Sequence, residues 1–224
     1  MTDTSFAEWL ASHARGLSYL QLGGLGNPLL EHAQLALEAG ASRALHIEAV
    51  PLPASLWAPL EHACAGFGGR FSTLTQDPAD GHAMLRLVPY ADIIHVAQLF
   101  HARDPYLVLE RLSRHSRRFL AVTTVRMPLD EGGLAEGDAV PGFLPDDPRL
   151  EAVRRLMAAR GAVLDQFLRP PDLLSPTGVA AWGGMWNWFM TEAAWRRLIG
   201  HFGWRITHAF PSWGELGITL LGER

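Results

Sequence analysis

Two hydrophobic periods alternate along this chain. In residues 5–15 the apolar positions Phe6, Trp9 and Leu10 fall three or four apart or adjacent, which puts them on one face of a helix. From Leu17 to Leu22 the spacing tightens into a short apolar run of strand length. The run breaks at Gly23-Gly24-Leu25-Gly26-Asn27-Pro28, and a helical pattern takes over from about Leu29 to Ala39, where Gly40 stops it. Arg43 to Ile47 predicts a second strand, closed by Glu48. Strand, glycine-rich turn, helix and strand in succession make a βαβ unit.

The alternation continues. Ala54 to Ala65 predicts a helix, Arg70 to Leu74 a strand, Ala91 to Val96 a further buried strand, Pro105 to His115 a helix and Arg118 to Thr124 another strand. Strands alternating with helices of roughly 10–15 residues argue for a parallel sheet covered on both faces, hence an α/β fold. From Met127 to about Gly184 the texture changes. Prolines gather, Glu131 to Gly142 is rich in glycine, and one helix, Asp147 to Arg160, sits inside. Residues 127–184 therefore read as an insertion after the fifth strand, a lid over one end of the sheet, within a single domain spanning 1–224. Beyond it, Thr191 N-caps a helix to Phe202, and Arg205 to Phe210 and Leu216 to Gly222 predict two strands. Their short connection, Pro211-Ser212-Trp213-Gly214, predicts antiparallel pairing.

Composition narrows the chemistry. Hydrophobic residues make up 48% of the chain and charged residues 19%, too apolar for disorder and enough for a large core. A net charge of −4 offers no basic surface to a nucleic acid, so nucleic acid is not the expected partner. All 19 basic residues are arginine. Without lysine there is no Schiff-base amine, no phosphate-loop lysine and no Tyr-x-x-x-Lys pair. The one cysteine, Cys64, excludes an internal disulfide and a multi-thiolate zinc site, and in its helical run it reads as a small buried hydrophobe. No apolar run reaches the ~18 residues of a membrane span. The N-terminus lacks a basic and apolar leader, so the expected location is cytoplasmic.

The glycine turn after the first strand lets a ligand approach the backbone closely, and an acid at the end of the second strand, Glu48, can accept both hydroxyls of a ribose. On those residues alone NAD, FAD and S-adenosylmethionine all fit. The stretch Ala91-Asp92-Ile93-Ile94-His95-Val96-Ala97-Gln98-Leu99-Phe100-His101-Ala102-Arg103-Asp104-Pro105 separates them. It resembles the fourth-strand motif of class I S-adenosylmethionine-dependent methyltransferases, in which a strand runs into Leu-Tyr-His and a following proline opens a helix. Leu107 to Thr124 is similar to the next helix and strand of that fold, and Met185-Trp186-Asn187-Trp188-Phe189-Met190-Thr191 with Gly203-Trp204-Arg205-Ile206 is similar to its late segments. The flavour is that of the tRNA-uridine carboxymethyltransferase-like branch. The resemblance spans about Leu17 to Gly222 and implies a Rossmann-like class I methyltransferase fold. The first motif departs: aligned on Gly23, Gln21 stands for its acid, Leu25 for its second glycine and Asn27 for its third. The family opens its first motif with an acid, where this chain has Gln21 in one register and Leu22 in the other.

The resemblance implies S-adenosylmethionine as cofactor, held by Gln21, Gly23, Gly24, Gly26, Glu48, Asp77 and Ala97. Glu48 would take the ribose hydroxyls and Asp77 would lie near the adenine amino group; read plainly, they are a strand-end acid and a turn residue before Pro78. His101, at the mouth of the fourth strand, is the candidate catalytic base, because imidazole has the pKa to take a proton from an attacking O or N; its plain reading is a packed histidine at a helix start. His95 reads as buried and hydrogen-bonded, Tyr19 as core, and no third ligand makes these histidines a metal site. Trp182, Trp186, Trp188 and Trp195 could wall a flat substrate or anchor the insertion, with Asn187 the polar group among them. Arg114, Arg117, Arg118, Arg196 and Arg197 read as solvated helix ends.

The expected activity is methyl transfer to a small-molecule acceptor, with no metal. The alternative is a methyltransferase-like pseudoenzyme or regulatory subunit, or a repurposed enzyme that does not methylate; the eroded first motif is its basis. Expected partners beyond the substrate are a second copy of the chain or a partner protein. A nicotinamide oxidoreductase is disfavoured, because Gly-x-Gly-x-x-Gly spacing is absent after the first strand.

Overall fold

The structure, a computed structural model, describes residues 5–25, 31–78, 80–127, 134–142, 146–159, 187–212 and 216–224. Its frame is a parallel sheet in the order β3-β2-β1-β4-β5, made by Phe71–Thr75, Arg43–Glu48, Ser18–Leu22, Ala91–Ala97 and Ser116–Met127. β1 is buried at every position because it pairs on both sides and is covered on both faces. β3, at the edge, exposes Ser72, Thr73 and Thr75 and half-buries Phe71 and Leu74. The central place of β1 and the edge place of β3 account for that difference in burial.

Helices cover both faces. α1 (Phe6–His13) opens with a capping box: Ser5 Oγ accepts from Glu8 N, and Glu8 Oε2 accepts from Ser5 N at 2.7 Å. It buries Phe6, Trp9 and Leu10 in a core shared with α2 (Ala33–Glu38), α3 (Ala54–Cys64), Tyr19, Ile93 and Phe119. The opposite core packs Leu20, Leu22, Ile94, Val96 and Leu120 against α4 (Gly81–Leu87), α5 (Pro105–His115), α6 (Arg149–Ala159) and α7 (Glu192–His201). α5 shows the usual grammar: Asp104 caps Leu107 N, Pro105 fills the first turn, and Val108, Leu109 and Leu112 face inward. α7 is capped by Thr191, as expected.

β8 (Arg205–Pro211) and β9 (Gly217–Glu223) pair antiparallel, and β9 also pairs antiparallel with β5. The result is the mostly parallel α/β sheet with a C-terminal antiparallel pair that the sequence predicts.

Several details differ from the sequence reading. α2 begins at Ala33; residues 26–30 lie outside the described ones. Arg117 and Arg118, expected at a helix end, stand in β5. α4 was not foreseen. Nor were β6 (Ala139–Pro141) and β7 (Trp188–Thr191), so part of the 127–184 insertion joins the sheet. β5 extends past Thr123, where its pairing with β4 ends, and Arg126 and Met127 pair with β7, which pairs in turn with β6. Residues 160–186, including Trp182 and Trp186, lie outside the described residues. Among the described residues no helix is long and apolar enough to cross a membrane.

Candidate active site

Five parallel neighbours bring their carboxyl ends to one edge of the sheet, where open α/β sheets hold their ligands. β1 runs on into Gly23 and Gly24 at φ 77° and 91°, left-handed backbone that costs a side-chain-bearing residue roughly 1–2 kcal/mol. Gly23 N donates to Ile47 O at 2.8 Å, which joins the turn to β2. Two residues on, Leu25 N donates to Glu48 Oε1 at 2.9 Å. Glu48 is buried, and the same Oε1 lies 3.0 Å from His46 Nε2. His46 is fully buried and sits two residues before Glu48, on the same face of β2. Both donors meet Oε1; among the described residues none meets Oε2. The carboxylate is thus anchored through one oxygen, and the other can accept from a ligand hydroxyl.

Gln21 stands further back. It is fully buried; its Oε1 accepts from Tyr19 Oη at 3.1 Å and His32 N at 3.0 Å, and its Nε2 donates to Gly23 O at 2.9 Å. It binds the two ends of the glycine turn together from beneath. Asp77 is half-buried just past β3; its carbonyl accepts from Gln76 Nε2 and from Asp80 N, both at 3.0 Å, and Gln76 N donates to Glu48 O at 2.8 Å. Gly26 lies outside the described residues.

On the other side of β1, Ala97 closes β4, fully buried. Gln98 follows at φ 61°, ψ 39°, the one residue other than glycine at positive φ among the described residues. Such a conformation stores on the order of 1 kcal/mol or more, and it turns the chain into a short 3-10 turn, Leu99–His101. His101 N donates to Gln98 O at 3.0 Å, and Trp188 Nε1, from β7, donates to Ala102 O at 3.1 Å. β7 is thereby fastened over the end of β4.

His101 and Asn187 meet there. Burial pushes the His101 imidazole down to about 4, while the nearby Asn187 side chain pulls the other way. His101 Nδ1 is buried with no hydrogen-bond partner among the described residues. At neutral pH the ring is therefore an uncharged imidazole carrying a lone pair. Arg126 and Arg196 both reach Glu192, at 2.8 and 2.7 Å, tying α7 to the end of β5 and holding the Glu192 carboxyl low. No group of His, Cys, Asp and Glu able to hold a metal ion occurs among the described residues.

The structure thus places Gly23, Gly24, Glu48, Asp77, Ala97 and His101 along one edge, with Glu48 bonded to the turn and His101 across β1 from it. Gln21 supports that edge from below. The sequence reading missed His46, although its two-residue spacing from Glu48 in a strand is the signal for a shared face. Trp195 proves to be core, fully buried, its Nε1 donating to Val125 O at 2.9 Å. Cys64 is buried as expected, its thiol pushed up to about 11 by burial and nearby Glu31 and Glu38.

No model of a known protein family matches this sequence, and no curated protein does. Solved structures do match in fold. An O-methyltransferase family protein from Burkholderia thailandensis superposes over 97% of this chain and 55% of its own, at 13% identity and a TM-score of 0.61. Magnesium protoporphyrin IX methyltransferase from Synechocystis, solved with SAH bound, covers 97% of this chain and 80% of its own, at 17% identity and a TM-score of 0.58. A SAM-dependent methyltransferase from Aquifex aeolicus covers 99% and 90%, at 14% identity and a TM-score of 0.51. This chain spans little more than half the length of the Burkholderia protein. What it shares with these methyltransferases is the Rossmann-like fold, including the parallel sheet that ends in an antiparallel pair.

Proposed function

We propose that this protein transfers a methyl group from S-adenosylmethionine to a small-molecule acceptor. The observation that carries the reading is the join between Leu25 N and Glu48 Oε1, which sets a bent glycine turn beside a buried carboxylate with its second oxygen available. Glu48 would accept from the ribose hydroxyls, and Gly23 and Gly24 let the nucleoside lie against the backbone. When bound, S-adenosylmethionine supplies an electrophilic methyl group on a sulfonium. His101, half-buried and held neutral by desolvation, would take the proton from the attacking oxygen or nitrogen, with Asn187 beside its ring. β7 and β6 cover that corner and limit the access of water. Asp77 and Ala97 would flank the adenine and the end of β4.

The finer likeness to the tRNA-uridine carboxymethyltransferase-like branch rests on Leu99-Phe100-His101 and on Met185-Trp186-Asn187. It supports the pairing of His101 with Asn187 rather than a nucleic-acid substrate, given the net charge of −4.

A second reading draws on Gln21. Where the family has an acid, this chain has a neutral amide whose oxygen is already committed to Tyr19 and His32. That supports a methyltransferase-like protein that regulates a partner without catalysis. Titration calorimetry with S-adenosylmethionine and S-adenosylhomocysteine separates the two. Micromolar binding, weakened about 10- to 100-fold in Glu48→Ala, supports the first. No heat at millimolar ligand overturns it and leaves the second.

A further inference from the structure

A chain of buried polar side chains crosses four neighbouring strands beneath the glycine turn. Thr219 on β9 lies 2.7 Å from Thr123 on β5, hydroxyl to hydroxyl. Thr123 Oγ1 lies 2.7 Å from His95 Nε2 on β4, and His95 Nδ1 lies 3.1 Å from Tyr19 Oη on β1. Tyr19 then reaches Gln21. All five side chains are buried, His95 and Gln21 completely. Phe6 and His32 pack against the His95 ring at 4.9 and 5.3 Å between centroids.

The directions of these bonds can be worked out from the glycine end. Gly23 O only accepts, so the Gln21 nitrogen must face it; His32 N only donates, so the Gln21 oxygen must face that. The amide orientation is fixed twice. Its oxygen therefore takes the Tyr19 proton, and Tyr19 can then only accept from His95. His95, neutral because burial holds it well below the ordinary histidine range, has one N–H, and that must be Nδ1–H. Nε2 accepts from Thr123, and Thr123 accepts from Thr219. Every donor points toward the turn.

We infer that His95, held as the Nδ1–H tautomer, is a positioning residue for the glycine turn: through Tyr19 it fixes the Gln21 amide that clamps Gly23 and His32. The effect on ligand binding rests on the cofactor reading above; the effect on the turn does not. His95 acts through Tyr19 and Gln21. It holds Gly23 and His32 by closing the one hydrogen-bond pattern that satisfies every member of the chain among the described residues, and a partly satisfied buried network is costly.

The test is long-range proton–nitrogen NMR on the full chain labelled in histidine nitrogen, with amide exchange at His32 and titration with S-adenosylhomocysteine. The wild-type protein is expected to show His95 as Nδ1–H. Tyr19→Phe is expected to release that tautomer, speed exchange at His32 N–H and weaken S-adenosylhomocysteine about tenfold. His95→Asn, whose amide nitrogen stands near the place of Nδ1, is expected to keep most of the His32 protection, and His95→Ala to lose it. An Nε2–H tautomer in the wild type overturns the inference without any variant. So does Tyr19→Phe with unchanged exchange at His32. If the wild type binds no S-adenosylhomocysteine, the cofactor reading falls, while the tautomer and the His32 exchange still decide this one.

Discussion

His101, half-buried, carries a lone pair into the corner between β4 and β7, and its usefulness there depends on staying neutral. Desolvation disfavours the imidazolium, and the opposing influence of Asn187 does not restore it. His101 is therefore expected to titrate near 4 rather than near 6.5, followed by its ring shifts in an NMR pH titration. A midpoint near 6.5 would place the ring in water and remove it from the corner. His101→Gln is expected to leave S-adenosylhomocysteine affinity within about twofold while slowing turnover about 10²- to 10⁴-fold, the usual span for a lost general base. At this scale the sequence was most informative where chemistry forces residue type. Glycines at positive φ and an acid at a strand end are legible because few other residues do those jobs. Gln21 was legible as a departure, but not as a brace, because His32, 11 residues on, meets it only in the fold; Tyr19, two residues before it in β1, was the local signal.

The strands and helices that were legible are those whose burial is local. β1, β2 and β4 are apolar runs between turn signals, and α5 and α7 carry both a cap and an apolar stripe. α4 escaped because it exposes Leu85 and Leu87 and so lacks a clean stripe. β6 and β7 escaped because their partner is the overhang of β5, a pairing between residues far apart in sequence. That small sheet depends on a close approach at Gly142. Its N–H donates to Asn187 O at 2.7 Å, and a Cβ there would stand 2.6 Å from the buried Phe189 ring and 3.2 Å from Asn187 Cβ. Phe189 is almost fully buried and has nowhere to retreat. Gly142→Ala is expected to cost about 1–3 kcal/mol, typical of overpacking, and to move the His101 titration, because Asn187 shifts with β7. Urea denaturation and the NMR titration of the variant check the two parts; a neutral substitution would show that β6 and β7 are not packed as tightly as these distances require.

The whole molecule hides several histidines from water. Burial holds His95, His101 and His115 below the ordinary value of 6.5, and all three are neutral in the fold at physiological pH. The sign of the consequence follows from proton uptake. Above pH 6.5 folded and unfolded chains are alike at these sites, so they do not alter stability. As the pH falls through 6.5 the unfolded chain takes protons that the folded one refuses, and stability is lost with each further step toward the folded pKa, about 4 for His101. His101 alone contributes a loss on the order of 3 kcal/mol across that window, a large share of the roughly 5–15 kcal/mol that holds a domain folded. Asp92, held low by Ser18, and Glu192, held low by Arg196 and Arg126, act later: their contribution is intact above the ordinary carboxylate range and disappears only as the pH drops through their lowered values. Two stages of acid destabilisation are therefore expected, histidines first and carboxylates second. Urea midpoints measured between about pH 7.5 and about pH 5 isolate the first stage, because the carboxylates are still ionised there. The wild type is expected to lose stability steadily across that range, and His101→Gln to lose it less steeply, by one proton's share. A flat profile, or an unchanged slope in the variant, would mean that His101 reaches water and that the corner between β4 and β7 stands open.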